Sequence, residues 1–69
     1  MKISNSIEFG QLIKARRKEL GYTQNDIASF LGFSTSFISH LENGKSTIEL
    51  EKSIKVATAL GLNLSLEER

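Results

Sequence analysis

Residues 23–44 decide the fold: Thr23-Gln24-Asn25-Asp26-Ile27-Ala28-Ser29-Phe30-Leu31-Gly32-Phe33-Ser34-Thr35-Ser36-Phe37-Ile38-Ser39-His40-Leu41-Glu42-Asn43-Gly44. Two short apolar patterns with helical spacing lie within it. Ile27, Ala28 and Leu31 form the inner face of a helix over 24–31. Thr23 caps that helix, with Asp26 three residues on as a capping-box partner. Ile38 and Leu41 form the inner face of a second helix over 35–43, capped by Ser34 and stopped by Gly44. Only Gly32, Phe33 and Ser34 separate the two. Short helices joined by so brief a glycine-led turn must cross steeply, which is the geometry of a helix-turn-helix.

Outward from this pair, the pattern predicts two further helices. One covers 7–20, with Phe9, Leu12, Ile13, Arg16 and Leu20 on one face. Ser6 is its expected cap and Glu8 suits its first turn. Lys14, Arg16, Arg17 and Lys18 load its later turns with positive charge, and Gly21 stops it. The other covers 48–60, with Thr47 as cap, Leu50, Ile54, Ala57 and Leu60 inward, and Gly61 as stop. Beyond it Leu62, Leu64 and Leu66 alternate with Asn63, Ser65 and Glu67, the period-two pattern of a half-buried strand over 62–66. A lone strand leaves its backbone groups unpaired. Pairing with the same strand of a second copy across a two-fold axis would satisfy them. A frayed tail, or a short helix begun by Ser65, is the alternative. The expected fold is therefore all-α: one compact four-helix domain over 1–69 with a short C-terminal β-strand pairing across a homodimer.

Composition narrows the function classes. With 69 residues, the chain buries only ~60% of the surface exposed when unfolded. It has no cysteine and one histidine, so neither a disulfide nor a zinc site is expected, and no cofactor. No apolar run approaches the ~20 residues of a membrane span. Residues 1–10 lack the apolar centre of a signal peptide, so no membrane association and a cytoplasmic, nucleoid-associated location are expected. Formal net charge is +1, which leaves room for a local basic patch but not for indiscriminate polyanion binding. Catalysis has little to build on. Ser36 and His40 could meet at i, i+4, but nothing else in the sequence orients them.

With Ile38 and Leu41 inward, the opposite face of the 35–43 helix carries Ser36, His40 and Asn43, flanked by Thr35 and Ser39. These small uncharged polar residues can enter a ~12 Å major groove and hydrogen-bond base edges. Gln24 sits at the start of the preceding helix, where free backbone N–H groups suit a phosphate. Lys45 directly follows the reading helix. The same face would also serve as an ordinary solvated surface.

The run Tyr22-Thr23-Gln24, then Ile27-Ala28, Gly32, Ile38-Ser39 and Glu42-Asn43-Gly44-Lys45 resembles the Cro/C1-type (XRE-like) helix-turn-helix family of phage repressors and bacterial regulators. The match is gapless from Arg17 to Lys45, and the chain's length suits a lambda-repressor-like domain. The resemblance implies a double-stranded DNA operator as partner. It implies that Arg17 and Glu42 form a structural ion pair tying the first helix to the end of the third. It implies that Thr35, Ser36, Ser39 and His40 face bases, and that Gln24, Ser34, Asn43 and Lys45 lie near phosphates. Two departures stand out: the base-facing residues are short, and Phe37 occupies a position that is polar in many relatives. Phe37 either packs inward or touches a thymine methyl group.

The ending Ala59-Leu60-Gly61-Leu62-Asn63-Leu64-Ser65-Leu66 resembles the HipB-type antitoxins. That likeness implies a homodimeric repressor that acts on its own operon and holds a HipA-like kinase toxin, with Leu62, Leu64 and Leu66 on the dimer strand. A stand-alone phage repressor or restriction-modification controller fits the same helices.

Overall fold

The computed structural model describes residues 2–69. Among them are four helices: α1 Ser6–Glu19, α2 Gln24–Leu31, α3 Thr35–Glu42 and α4 Leu50–Ala59. The α2–α3 unit forms as its punctuation dictates. The Thr23 hydroxyl accepts the Asp26 N–H at 3.0 Å, and the Asp26 carboxylate accepts the Thr23 N–H at 2.8 Å. This reciprocal box satisfies two of the orphan donors of the helix start. Gly32 then turns the chain with φ 74°, a left-handed conformation that side-chain-bearing residues avoid. Ser34 caps α3, its Oγ accepting the Phe37 N–H at 3.0 Å.

The core is built from Ile13 of α1, Ile27 and Ala28 of α2, Ile38 and Leu41 of α3, and Val56, Ala57 and Leu60 in and after α4. Phe37 packs inward against it and meets Phe33 edge-on, ring centroids 5.4 Å apart. The Lys52 ammonium stands 5.6 Å and 5.7 Å from these two rings. α1 and α3 pack at backbone distance. A Cβ on Gly10 would lie 2.6 Å from the Glu42 carbonyl oxygen, and closer still to that of Leu41. Only hydrogen fits at that crossing.

Four expectations need correction, at helix boundaries and on helix faces. Asn5, not Ser6, caps α1: its side chain accepts the Glu8 N–H at 2.9 Å. The Ser6 hydroxyl instead donates to the Gly44 carbonyl at 2.8 Å, pinning the start of α1 to the end of the α3 turn. α4 starts at Leu50 rather than at 48, with Glu49 in the cap position and no side-chain cap. Its inward stripe is Ser53, Val56, Ala57 and Leu60, while Leu50 and Ile54 are 72% and 41% exposed. The swap is physically cheap because the Ser53 hydroxyl satisfies itself on the Glu49 carbonyl at 2.6 Å. On α1, Arg17 is buried and Leu20 is exposed, because Arg17 has an acidic partner inside and Leu20 lies at the helix end.

The strand expected over 62–66 is not formed; the described residues contain no strand. Leu62 closes α4, its N–H donating to the Ala57 carbonyl at 2.9 Å, and packs on the core. Beyond it Leu64 and Leu66 stay exposed. Strand hydrogen bonds need a neighbouring strand. Within the single chain, no backbone hydrogen bond engages the described residues beyond Leu62. Together with Ile3, Phe9, Ile48, Leu50 and Ile54, these leucines border an open groove of 630 Å³. No helix of the described residues is long and apolar enough to cross a membrane.

Candidate nucleic-acid interface

α3 separates its residues cleanly by face. Ile38, Leu41 and Glu42 are buried, while Thr35, Ser36 and His40 are exposed and Ser39 is half-buried. The exposed set gives one uncharged polar surface, continued by Ser34 before the helix and by Asn43 and Lys45 after it, all three exposed. Several of these groups are already engaged. Ser34 spends its oxygen on the α3 cap. The Thr35 hydroxyl donates to Asn25 Oδ1 at 3.3 Å, and Asn43 Nδ2 donates to Ser39 Oγ at 3.5 Å. Among the described residues no hydrogen bond joins Ser36 to His40, both exposed on α3.

Beneath this surface lies a charged cluster joining three helices. Arg17 of α1 meets Glu42 of α3 as two parallel bonds, Nε to Oε2 at 2.6 Å and Nη2 to Oε1 at 2.9 Å. Their side chains are 8% and 1% exposed. Arg17 Nη1 also donates to the Tyr22 carbonyl at 2.8 Å. Gln24, the first residue of α2, donates from Nε2 to Glu42 Oε1 at 3.1 Å. Burial pushes the Glu42 carboxyl pKa upward. The hydrogen bonds from Arg17 and Gln24, with the charges of Arg17 and Lys14, outweigh it and hold the group below its ordinary value. Its bonds to Glu42 in turn hold Arg17 above its ordinary value. Asp26 is held below the usual carboxylate range by the Thr23 backbone bond, then by the Thr23 hydroxyl.

Sequence reasoning did not single out Asn25 or Gly10. Asn25 ties the start of α2 to the start of α3, and only its polar side chain next to Gln24 hinted at that. Gly10 was distinguishable as the one glycine inside an apolar helical pattern, a signature of close backbone approach.

A capped α2, a left-handed glycine turn and an α3 with a polar outer face together make a helix-turn-helix, and the profile of the family described as Helix-turn-helix matches residues 13–66. The chain is a member of the helix-turn-helix family. An uncharacterized HTH-type transcriptional regulator, y4mF, from Sinorhizobium fredii (strain NBRC 101917 / NGR234) is 31% identical over 65 residues, covering 94% of this chain and 86% of that protein. An HTH-type transcriptional regulatory protein of Saccharolobus islandicus (strain L.S.2.15 / Lassen #1) is 38% identical over 50 residues, 72% of this chain but only 16% of that longer protein. Among solved structures, HipB in a HipB–O4 20mer complex superimposes with TM-score 0.89 at 26% identity, covering 99% of this chain and 96% of that one. A HipA–HipB–O2–O3 complex matches with the same TM-score of 0.89, identity of 26% and coverage of 99% and 96%. The helix-turn-helix family consists of DNA-binding regulators, not enzymes, and this member carries a DNA-binding transcriptional-regulator domain.

Proposed function

We propose that this helix-turn-helix protein is a homodimeric repressor of a palindromic operator, and the antitoxin of a HipBA-like toxin–antitoxin operon. The observation that carries the reading is the likeness to HipB over 99% of the chain at TM-score 0.89, tail included. Two α3 helices on a two-fold axis read half-sites about one turn, ~34 Å, apart. Thr35, Ser36, Ser39 and His40 meet base edges in the major groove. Gln24, Ser34, Asn43 and Lys45 meet phosphates, helped by the free N–H groups at the start of α2. The whole chain, 1–69, acts as this single domain.

The apolar groove between the tail and the start of α4 supports the dimer. Leu64 is 48% exposed, and Leu50 and Ile54 are exposed beside it, a row of large apolar side chains that water does not favour. In the dimer the 62–66 segments pair as strands across the axis and cover these residues. A HipA-like kinase toxin as second partner is supported by the match to the HipA–HipB–O2–O3 complex. A stand-alone regulator is the second reading, supported by the 31% identity to an HTH-type transcriptional regulator over 94% of this chain.

The test is selection of duplexes from a random-sequence pool by the purified chain, followed by mobility-shift titration at moderate salt. The expected result is enrichment of a palindrome and binding as a dimer. Recovery of sequences with no common motif would overturn the repressor reading. Co-purification of a kinase-fold protein encoded beside the gene supports the antitoxin role. An adjacent sequence with no such fold favours the stand-alone regulator.

A further inference from the structure

Glu42 belongs by geometry to the buried ion pair, yet the pair does not use all of its capacity. Its Oε1 accepts from Arg17 Nη2 at 2.9 Å and also from Gln24 Nε2 at 3.1 Å. The carboxylate is almost fully buried, so it is a fixed acceptor. Gln24 is half-buried at the first position of α2, where the capping box takes the Asp26 N–H and leaves those of Gln24 and Asn25. One N–H of its carboxamide is committed to Glu42. The second N–H diverges from the first by the geometry of a planar amide. The amide oxygen has no partner among the described residues and is not a buried orphan, since they contain none.

We propose that Glu42 is a positioning residue for DNA binding. It holds the Gln24 carboxamide in one orientation, so that the free N–H is presented to a phosphate beside the start of α2. The proposal rests on the DNA-binding reading above and adds a residue to it. Three features make the arrangement suit an anion. The Glu42 charge is neutralised by Arg17 at 2.6 Å, so it does not repel phosphate. The acceptor is a carboxylate, so the amide nitrogen, never the amide oxygen, must face it. A flexible glutamine side chain is ordered before binding rather than during it. Ordering a side chain of this kind on binding costs about 0.5–1.5 kcal/mol, so prior ordering is worth roughly two- to tenfold in affinity.

The experiment is a binding cycle on the duplex that the wild-type chain selects from a random pool. Gln24→Ala is compared in two backgrounds: wild type, and Arg17→Met/Glu42→Leu, which removes both buried charges so that neither is stranded. Each chain is titrated across salt concentrations, at a temperature where circular dichroism finds it folded. In the wild type, Gln24→Ala should lose about two- to tenfold more affinity than in the apolar background. The salt slope should stay the same, because a neutral carboxamide releases no counterion on meeting a phosphate. An equal loss in both backgrounds overturns the proposal while leaving DNA binding intact. Failure of the wild type to bind any selected duplex overturns the DNA-binding reading itself. A second measurement needs no variant of the pair. In the free wild-type chain, the Glu42-bonded Gln24 amide proton should lie downfield of its position in a solvent-exposed glutamine, exchange slowly with water, and keep its shift when the duplex is added. A pair of signals at the positions and exchange rates of a solvent-exposed glutamine overturns the proposal, even if the apolar background does not fold.

Discussion

Glu42→Ala should cost this protein a large part of its stability. In the native chain the Arg17 guanidinium makes two bonds to Glu42, at 2.6 Å and 2.9 Å, and one to the Tyr22 carbonyl at 2.8 Å. Removing Glu42 leaves the last of these and a cation whose side chain is 8% exposed, with no counter-charge. Breaking a buried pair from one side costs about 3–5 kcal/mol. A chain of this length has about 3–10 kcal/mol in total, so Glu42→Ala should lose roughly a third of its stability or more. Replacing both partners, as in Arg17→Met/Glu42→Leu, strands neither charge and should recover most of the loss. The assay is urea unfolding followed by far-ultraviolet circular dichroism, at one fixed protein concentration because the proposed dimer would add to stability. Acidity gives an independent arm. The Glu42 pKa is depressed in the folded state, so its stabilisation is complete above the unfolded carboxylate pKa and is lost as pH falls through the folded one. The wild type should therefore lose stability on acidification more steeply than the Met/Leu double variant. Asp26, depressed by its capping box, contributes the same sign to both chains. A Glu42→Ala cost below about 1 kcal/mol, the range of exposed ion pairs, would refute this reasoning. So would strict additivity of the two single substitutions.

Gly10→Ala should destabilise by about 1–3 kcal/mol, where an unobstructed helix would gain about 1 kcal/mol from the same change; thermal unfolding decides the sign. Lys45→Ala should weaken binding to all duplexes alike and lower the salt slope by about one, whereas His40→Ala should relax preference at one base pair per half-site by ~1–3 kcal/mol; titration of a selected duplex and its single-base variants separates the two. Ser36→Glu should abolish shift of the selected duplex, since its carboxylate would face DNA, while leaving the urea midpoint within experimental scatter because Ser36 is exposed. Ile54→Glu should give a folded monomer by sedimentation velocity, as Ile54 is 41% exposed on the groove and absent from the core; a dimer surviving this change would move the interface elsewhere.

The helix-turn-helix was readable because its instructions are local. Thr23 with Asp26, Gly32, and Ser34 each act within one turn of chain, and all three behave as written. The start of α1 was less legible because Asn5 and Ser6 are both good caps. The choice between them is made by Gly44, distant in sequence, which takes the Ser6 hydroxyl. The stripe of α4 was misjudged for a related reason. Hydrophobicity alone favours Leu50 and Ile54 as inward residues, and nothing in the sequence shows that Ser53 can bury its hydroxyl on Glu49. The tail reads as period two, but a strand is a property of two segments, and one chain supplies only one. On the candidate interface, the outward face of α3 was legible from periodicity. The sharing of Glu42 between Arg17 and Gln24 was not, because it joins residues from three helices.

The backbone crossing at Gly10 has a consequence for how new binding preferences can arise. Because α1 rests directly on the carbonyls of Leu41 and Glu42, there is no side-chain cushion through which the axis of α3 could be tilted or slid. Thr35, Ser36 and His40, by contrast, project outward and lie outside the buried core. On the proposed function, retargeting this scaffold is therefore a matter of exchanging letters on a fixed rod: substitutions at those three positions would rewrite what is recognised, while the angle of presentation would be inherited unchanged.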